Sequence, residues 1–595
     1  MIPDVLDSAA ASGSSIVRRL LDPKRYREIG LIGVAAVVGV LAGLVVAAMG
    51  FLTNAAHVLL FGIPNSERLS GQSALMSPWL ALVPVAGGAI LAGIGIIVRR
   101  RGLRAPVDPI EANALHGGRM AVGESLLLAV QTMISSGFGA SVGLEAGYTQ
   151  VSASLASRLA TMLRLRRGEV RMLVGCAAAG AISAAFGAPI TGAFYGFELI
   201  IGTYTISLVA PVLTASLVAS LIAHGLGAIQ TPIEVGAVPA STTADLMPFI
   251  GIGIAGGIAA VAVMQLVTRV ERLFRRTGCP AWLRPLIGGA AVGGLALVSP
   301  HILSSGHGAL HVELASSLSW QALLTLFALK SLASALSLGS GFRGGLFFAS
   351  LYLGAVLGKA YALAFIAAGW LPGLPPVLAS VVGMASLAVG IVGGPMTMTF
   401  LVLETTGDLA ITGAVLAASI VSSVIVRETF GYSFSTWRLH LRGETIRSAH
   451  DVGWMRNLTV GRMMRPDAKT VTDTTGLASL RAAFPLGSTQ RVIAVDAEGR
   501  YAGMLVLADA YAPELTNESS AINVGALTRH RDVVLLPTMT ADQAAKIFET
   551  AGAEELAVIE SPFTRKVVGL LTEQHLLRRY AEELDKARRD LTGEG

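Results

Sequence analysis

Charge is the first thing in short supply. Asp, Glu, Lys and Arg together make up 14% of the 595 residues, where a water-soluble chain carries about 25%. A protein dissolved in water over most of its length is thereby excluded. The 53% of hydrophobic residues and a mean hydropathy of +0.64 put most of the chain in lipid. Cysteine is nearly absent: Cys176 and Cys279 stand far apart, without metal-binding or redox spacing, and read as reduced packing residues. No phosphate-binding loop, zinc-ligand spacing, His-Glu-x-x-His or nucleophile elbow occurs in context, so neither an enzyme nor a metal site is expected. The opening stretch MIPDVLDSAAASGSS has no basic region followed by an apolar core, so no cleavable signal peptide is expected.

A net charge of +6 raises nucleic acid as a partner, but the placement of the arginines excludes it. They fall in short tracts between apolar runs: Arg99, Arg100, Arg101 and Arg104; Arg158, Arg164, Arg166, Arg167 and Arg171; Arg269, Arg272, Arg275 and Arg276; Arg438, Arg442 and Arg447. That is the pattern of anchoring at the inner leaflet. With RRLLDPKRYRE (18–28) ahead of the first apolar run, it predicts a multi-pass protein of a bacterial-type inner (plasma) membrane with both termini in the cytoplasm.

Residues 30–430 alternate long apolar runs with brief polar breaks. Full spans are expected at about 30–52, 78–98, 207–227, 247–267 and 409–426; runs near 121–134, 146–163, 172–185, 346–368 and 377–392 are short or interrupted. A spanning helix needs about 20 apolar residues. Broken segments are tolerated only where protein buries them or they line a cavity, which favours a transporter or channel over a simple anchor. The run also repeats itself. FGAPITGAFYGFE (186–198) matches VGGPMTMTFLVLE (392–404), with Thr two residues and Glu nine residues after Pro in both: Pro189, Thr191, Glu198 and Pro395, Thr397, Glu404. About fifty residues ahead of each Pro a Gly-rich break opens a helix, GASVGLEAG and GSGFRGGLFFAS. Two matching halves predict a repeat-built transporter with its site at the repeat interface.

Those two breaks carry the chemistry. A helix N-terminus has unpaired N–H groups and roughly half a positive charge. In a low-dielectric membrane it holds an anion without any full cation. Glycines just ahead of the helix let backbone amides approach an ion closely. If the halves are antiparallel, the two N-termini converge on one point and make a chloride-sized anion site. Glu145, the acid inside GASVGLEAGYTQ (139–150), then reads as a gate, competing for the site when ionised and leaving it when protonated or displaced. Acids within membranes are expensive and mark function.

These stretches resemble the CLC family of chloride channels and proton-coupled chloride transporters. GASVGLEAGYTQ resembles that family's gating-glutamate motif, GSGFRGGLFFAS its G-S-G-x-x-G-G-x-F-x-P segment, and AAFGAPITGAFYGFE its A-A-F-x-A-P-L-A-G stretch, in the same order over 30–440. The resemblance implies an α-helical membrane protein. Its fold would be an inverted-repeat bundle of many tilted and broken helices, working as a homodimer with one ion pathway per subunit. It implies an anion site at Gly143, Leu144 and Ala146 and at Gly345, Leu346, Phe347 and Phe348, with chloride or nitrate-like anions as cargo.

Departures from the family pattern matter as much. By resemblance, the serine that touches the central anion becomes Pro106, a change that goes with nitrate preference. The tyrosine that closes the inner side falls near Ser435. With both hydroxyls gone, the site would rest on backbone amides, those of Leu346 and Phe347. Asp108 would repel anions if ionised, or cap the following helix. Family exchangers carry an inner proton-accepting glutamate; here Glu198 stands one position early and Leu199 takes its place. This favours passive or weakly coupled conduction over strict exchange, with Glu145 and Glu198 as the candidate proton pathway and Glu198 or Glu404 equally readable as interface carboxylates. Lys330 either holds the pathway positive or bonds helix-end carbonyls.

Beyond residue 430 the character changes. RVIAVDAEGRYAGMLVL (491–507) and LAVIESPFTRKVVGLLT (556–572) are strand–turn–strand patterns, each after a helix-like run. They resemble the paired CBS domains of many family members, a small cytoplasmic α/β tail. Asp509 and Thr572 each half-match a nucleotide motif, so adenine nucleotide is a possible ligand; no cofactor is required. The expected organisation is 1–29 cytoplasmic segment, 30–440 transport domain (halves 30–227 and 247–430), 441–455 linker, 456–516 and 520–583 CBS units and 584–595 charged tail. The expected function is a glutamate-gated anion channel, with a proton-coupled antiporter or a membrane-anchored CBS-domain ligand sensor as alternatives. A cation pathway is disfavoured, because it wants rings of acids or exposed carbonyls.

Overall fold

A computed structural model describes residues 23–228, 246–442, 458–515 and 522–592. Residues 1–22 of the expected N-terminal segment, most of the linker with Arg447, the join of the two C-terminal units and residues 593–595 lie outside the described residues. The chain divides into two compact units, Met1–Asp451 and Val452–Gly595.

The first unit is helical. Its first half runs α1 Pro23–Phe61, α2 Val83–Arg100, α3 Pro109–Leu115, α4 Val122–Gly137, α5 Glu145–Met162, α6 Arg167–Phe186, α7 Pro189–Tyr195 and α8 Ile206–Gly225. The second half runs α9 Leu246–Arg276, α10 Arg284–Val298, α11 His307–Ala315, α12 Trp320–Ser340, α13 Phe347–Ala367, α14 Pro376–Val392, α15 Pro395–Thr406, α16 Leu409–Thr429 and α17 Phe434–Leu441. Among the described residues eight helices are long and apolar enough to cross a membrane. α10 and α12 had no counterpart among the expected spans. Helix α1, at 39 residues, is about 58 Å long at the usual rise, longer than a bilayer core is thick.

Small residues let the long helices touch backbone to backbone, as membrane packing requires. In the first half, a Cβ on Gly39 would sit 2.5 Å from Ala215 O and one on Gly43 2.8 Å from Ala219 O, which closes α1 on α8. In the second half, Gly253 and Gly257 meet Ala418 O and Ser422 O in the same manner, which closes α9 on α16. The same four-residue spacing recurs on the same pair of helices in each half.

The Pro–Thr–Glu echo explains itself in three dimensions. The short helices α7 and α15 start at Pro189 and Pro395, where their first N–H groups have no partner of their own. Glu404, on α15, accepts from Ile190 N–H and Thr191 N–H at 2.8 Å each and from the Thr191 hydroxyl at 2.6 Å. Glu198 returns the arrangement on α15, accepting from Met396 N–H at 3.0 Å, Thr397 N–H at 2.8 Å and the Thr397 hydroxyl at 2.6 Å. Each half caps the other's short helix, a reciprocity that a pseudo-two-fold relation produces.

The arginine tracts gather at one end. Arg27, near the start of α1, pairs with Glu169 in the first turn of α6 at 2.7 Å. Trp437 Nε1 donates to Thr268 Oγ1 at 2.9 Å and so joins α17 to the Arg-rich end of α9.

The second unit has two similar halves. One holds α18 Val460–Met463, β1 Thr470–Thr472, α19 Leu477–Ala483, β2 Arg491–Val495 and β3 Tyr501–Val506. The other holds α20 Ala541–Ala551, β4 Glu555–Ile559 and β5 Val567–Thr572, followed by α21 Glu573–Thr592. β2 pairs antiparallel with β3 and parallel with β1; β4 pairs antiparallel with β5. The halves exchange edges: Arg465 bridges Leu570, and Arg529 bridges Met504. A bulge after Ala494 and another after Val558 fall at matching places in the two hairpins.

Replacing Glu404 by Ala is expected to lower stability by about 3 kcal/mol, since charge-assisted bonds to two amides and a hydroxyl are lost. Gln, which keeps one acceptor oxygen, should cost about half of that. Thermal unfolding of the detergent-purified protein measures both.

Candidate functional site

Two interrupted helices meet end to end inside the first unit. Gly143 N–H donates to Gly345 O at 3.0 Å and Gly345 N–H donates to Gly143 O at 3.1 Å. α5 starts two residues after Gly143 and α13 two residues after Gly345, so the bridge aims both N-termini at one point. The glycines leave room for the Glu145 carboxylate beside the bridge. A Cβ on Gly143 would lie 1.8 Å from Glu145 Oε2, and one on Gly345 3.1 Å from the same oxygen.

Glu145 fills that point. It is the first residue of α5, yet Oε1 reaches across to accept from Phe348 N–H of α13 at 3.1 Å. Its own backbone N–H also faces the carboxylate. Among the described residues Oε2 has no hydrogen-bond partner, and the residue is 5% exposed. A carboxylate between two sets of unpaired amides stands where a mobile anion would be held.

Glu145 also separates two cavities. The first, about 50 Å³, is lined by α1 (Thr53, Asn54, His57), by Arg68 and Ser70, and by Ser136, Ser304 and His307. The second, about 180 Å³, lies toward the Arg-rich end and is lined by Pro106, Asp108, Tyr195, Leu199, Ser435 and the start of α13. Both have room for several waters. Between them the contact is tight and aromatic: Phe186 packs on Phe347 at 4.9 Å and on Phe348 at 6.0 Å between ring centroids, and His307 stacks on Phe348 at 3.4 Å. The His307 ring is steadied by Ser305 Oγ at 2.5 Å, and His57 Nε2 lies 2.9 Å from Ser136 O.

The residues singled out from the sequence sort into three groups. Gly143, Leu144, Glu145, Ala146 and Gly345–Phe348 come together at the bridge. Pro106, Leu199 and Ser435 reach the wall of the second cavity, and Asp108 Oδ1 there accepts from Ile110 N–H at 2.9 Å, capping α3. Glu198 stands apart. It lines neither cavity, and its carboxylate is taken up by α15, so the geometry favours the interface carboxylate over the proton carrier. Lys330 is fully buried and donates to Ile302 O at 3.0 Å and Ser304 O at 2.7 Å. It therefore bonds helix-end carbonyls while acting on the Glu145 carboxylate through space.

Beside the residues expected from the sequence, Tyr195 of α7 lines the second cavity, and its phenol has no hydrogen bond among the described residues. It lies inside the FYGFE echo, where only Glu198 drew notice. Arg343 also reaches this cavity; it sits within GSGFRGGLFFAS, read for its glycines alone.

In the second unit Asp509 pairs with Arg529 at 2.7 Å. Thr572 Oγ1 accepts from His575 N–H at 3.2 Å, at the start of α21. Both groups are engaged within the unit.

The fold and this site define a multi-pass membrane protein built from two halves whose broken helices converge on one buried acid. The family profile described as voltage gated chloride channel matches residues 89–427, and the chain belongs to that family, the CLC family. It is 30% identical over 368 residues to a ClcB-like chloride channel protein of Ralstonia nicotianae, covering 59% of this chain and 84% of that one. It is 28% identical over 404 residues to the voltage-gated ClC-type chloride channel ClcB of Citrobacter koseri, covering 66% and 95%. A slow cyanobacterial Cl⁻/H⁺ antiporter has the same fold at TM-score 0.60 and 21% identity, covering 69% of this chain and 97% of that one. A eukaryotic CLC transporter superposes at TM-score 0.58 and 15% identity over 92% of this chain and 97% of that one.

A structure of Gly143→Ala is expected to show the Glu145 carboxylate expelled from the Phe348 amide, because the new methyl group claims its place. Overpacking of this kind costs about 1–3 kcal/mol, readable as a lowered unfolding temperature.

Proposed function

We propose that the protein is a transmembrane anion channel of chloride or nitrate-like selectivity, gated by Glu145 and passive or weakly proton-coupled. The observation that carries the reading is the position of the Glu145 carboxylate. It sits between two helix N-termini and between two cavities, so an ion passing from one to the other must take its place. Ionised, it competes with the ion for the same amides. Protonated, it loses the charge that holds it there, and flux rises as pH falls. Pro106 in the second cavity supports acceptance of nitrate beside chloride.

A proton-coupled antiporter is the second reading, since solved neighbours include a Cl⁻/H⁺ antiporter and a fluoride/proton antiporter. Leu199 weighs against it. It faces the second cavity where an exchanger needs a proton acceptor, and a leucine cannot serve. The third reading, a ligand sensor with an idle membrane part, is weakened by the two cavities meeting at Glu145. In our assignment the protein works as a homodimer in the inner membrane with its termini in the cytoplasm. The second unit is a CBS pair that regulates or stabilises the pathway. The engagement of Asp509 and Thr572 favours a structural role over a nucleotide sensor.

In proteoliposomes, wild-type anion efflux is expected to rise as pH falls from about 8 to 5, whereas Glu145→Gln, neutral throughout, should be nearly independent of pH. Unchanged pH dependence in that variant would sink the gate. Proton uptake driven by an anion gradient should fall far short of one proton per two anions; stoichiometric uptake would establish the antiporter. Adenosine triphosphate should leave the unfolding temperature of the purified protein where it is, and a rise of several degrees would make the second unit a sensor.

A further inference from the structure

The second cavity is more cationic than passage of a single monovalent ion demands. Arg343, Arg438 and Arg442 all reach its wall. Among the described residues none of the three guanidinium groups has a hydrogen bond or an ion pair; Arg438 only lies 5.8 Å over the Phe434 ring. They lie close enough to act on one another electrostatically. The carboxylates nearby do not balance them. Glu271 lies outside the wall; it acts on Arg343 and Arg438 from a distance but is itself paired with Arg275 at 2.5 Å. Asp108 is the nearest counter-charge in the wall, and its Oδ1 is spent on Ile110 N–H. Glu145, at the far end, faces the helix N-termini.

Arginines that merely anchor a protein at the inner leaflet reach outward to headgroups. These three converge on a cavity with room for several waters and repel one another, an arrangement that a bound anion relieves. Guanidinium forks match oxyanions that offer two or more oxygens, and a halide uses the fork poorly. Three guanidiniums face two carboxylates in the wall, Asp108 and Glu145, and Glu145 is turned to the helix N-termini, so the three forks at this end keep a positive surplus that suits an oxyanion better than a halide. A divalent oxyanion cannot follow a monovalent ion onward. Stripping water from an ion costs in proportion to the square of its charge, and the way past Glu145 is closed in by Phe186, Phe347, Phe348 and His307.

We propose that Arg343, Arg438 and Arg442 form a docking site for a divalent oxyanion of the sulfate or hydrogen-phosphate type, which plugs the second cavity and slows anion passage from that side. The inference rests on reading this cavity as one mouth of the pathway.

The test uses the full chain in oriented bilayers or proteoliposomes, with nitrate or chloride flux measured at constant ionic strength while sodium sulfate is added to one face or the other. Sulfate should inhibit from one face only. Arg343→Gln and Arg438→Gln should each raise the half-inhibiting concentration at least tenfold relative to that variant's own flux. Arg343→Lys, which keeps the charge but not the fork, should raise it only severalfold. Inorganic phosphate at pH 8 should act like sulfate. Equal inhibition of wild type and both Gln variants, inhibition from both faces alike, or sulfate crossing as a substrate overturns the proposal. Calorimetric titration of sulfate into the purified protein separates this idea from the transport reading. Sulfate heat that is lost in both Gln variants upholds the docking site even if no flux is found. Absent heat in the wild type removes the docking site even if the channel conducts.

Discussion

The two hydrogen bonds between Gly143 and Gly345 are the constraint on which the rest depends. They pin the starts of two helices from opposite halves face to face, so that partial charges which would otherwise meet lipid are focused on one buried point. In water such ends are screened and worth little; in a membrane interior they hold a charge. The acid at the first position of α5 takes advantage of this. It needs no cationic partner, because amides from both halves already stand around it. Among the described residues Oε2 is unpaired, so the hydrogen-bond shell around this carboxylate is incomplete.

Carboxylates and lysines elsewhere in the membrane unit do a different job. Glu198 and Glu404 close the open amides of the two short helices, each for the opposite half. Lys330 does the converse with the carbonyls that follow Pro300, and Lys359 with those ending α11, among them Ser316 O at 2.7 Å. A buried charge is costly unless its hydrogen bonds are filled, and these four are filled by broken backbone. The many interruptions that make an ion pathway possible create orphaned backbone groups, and much of the buried charge is committed to them. Glu145 differs in being only half satisfied.

Much of the fold was legible in advance. The hydropathy of 30–52 or 409–426, the glycine breaks and the Pro–Thr–Glu echo are local patterns, and local patterns survive in a string of letters. The strand–turn–strand stretches of the tail were readable for the same reason, since alternation and turn residues lie within a dozen positions. α12 escaped because Lys330 and its serines dilute the run, and α10 because 15 residues fall short of a span. Glu198 was open to two readings, as its partners stand nearly two hundred positions away.

The sequence by itself determined that the chain lives in lipid, that it is built twice over, and that an acid sits at the start of an interrupted helix, because composition, periodicity and spacing are properties of neighbouring residues. Only the tertiary structure decided which charges are mechanical and which face the pathway. It sent Glu198 to α15, drew Tyr195 and Arg343 to the second cavity and placed Glu145 between two helix ends. Those assignments rest on contacts between distant segments, where a difference of a few ångströms separates a cap from a gate.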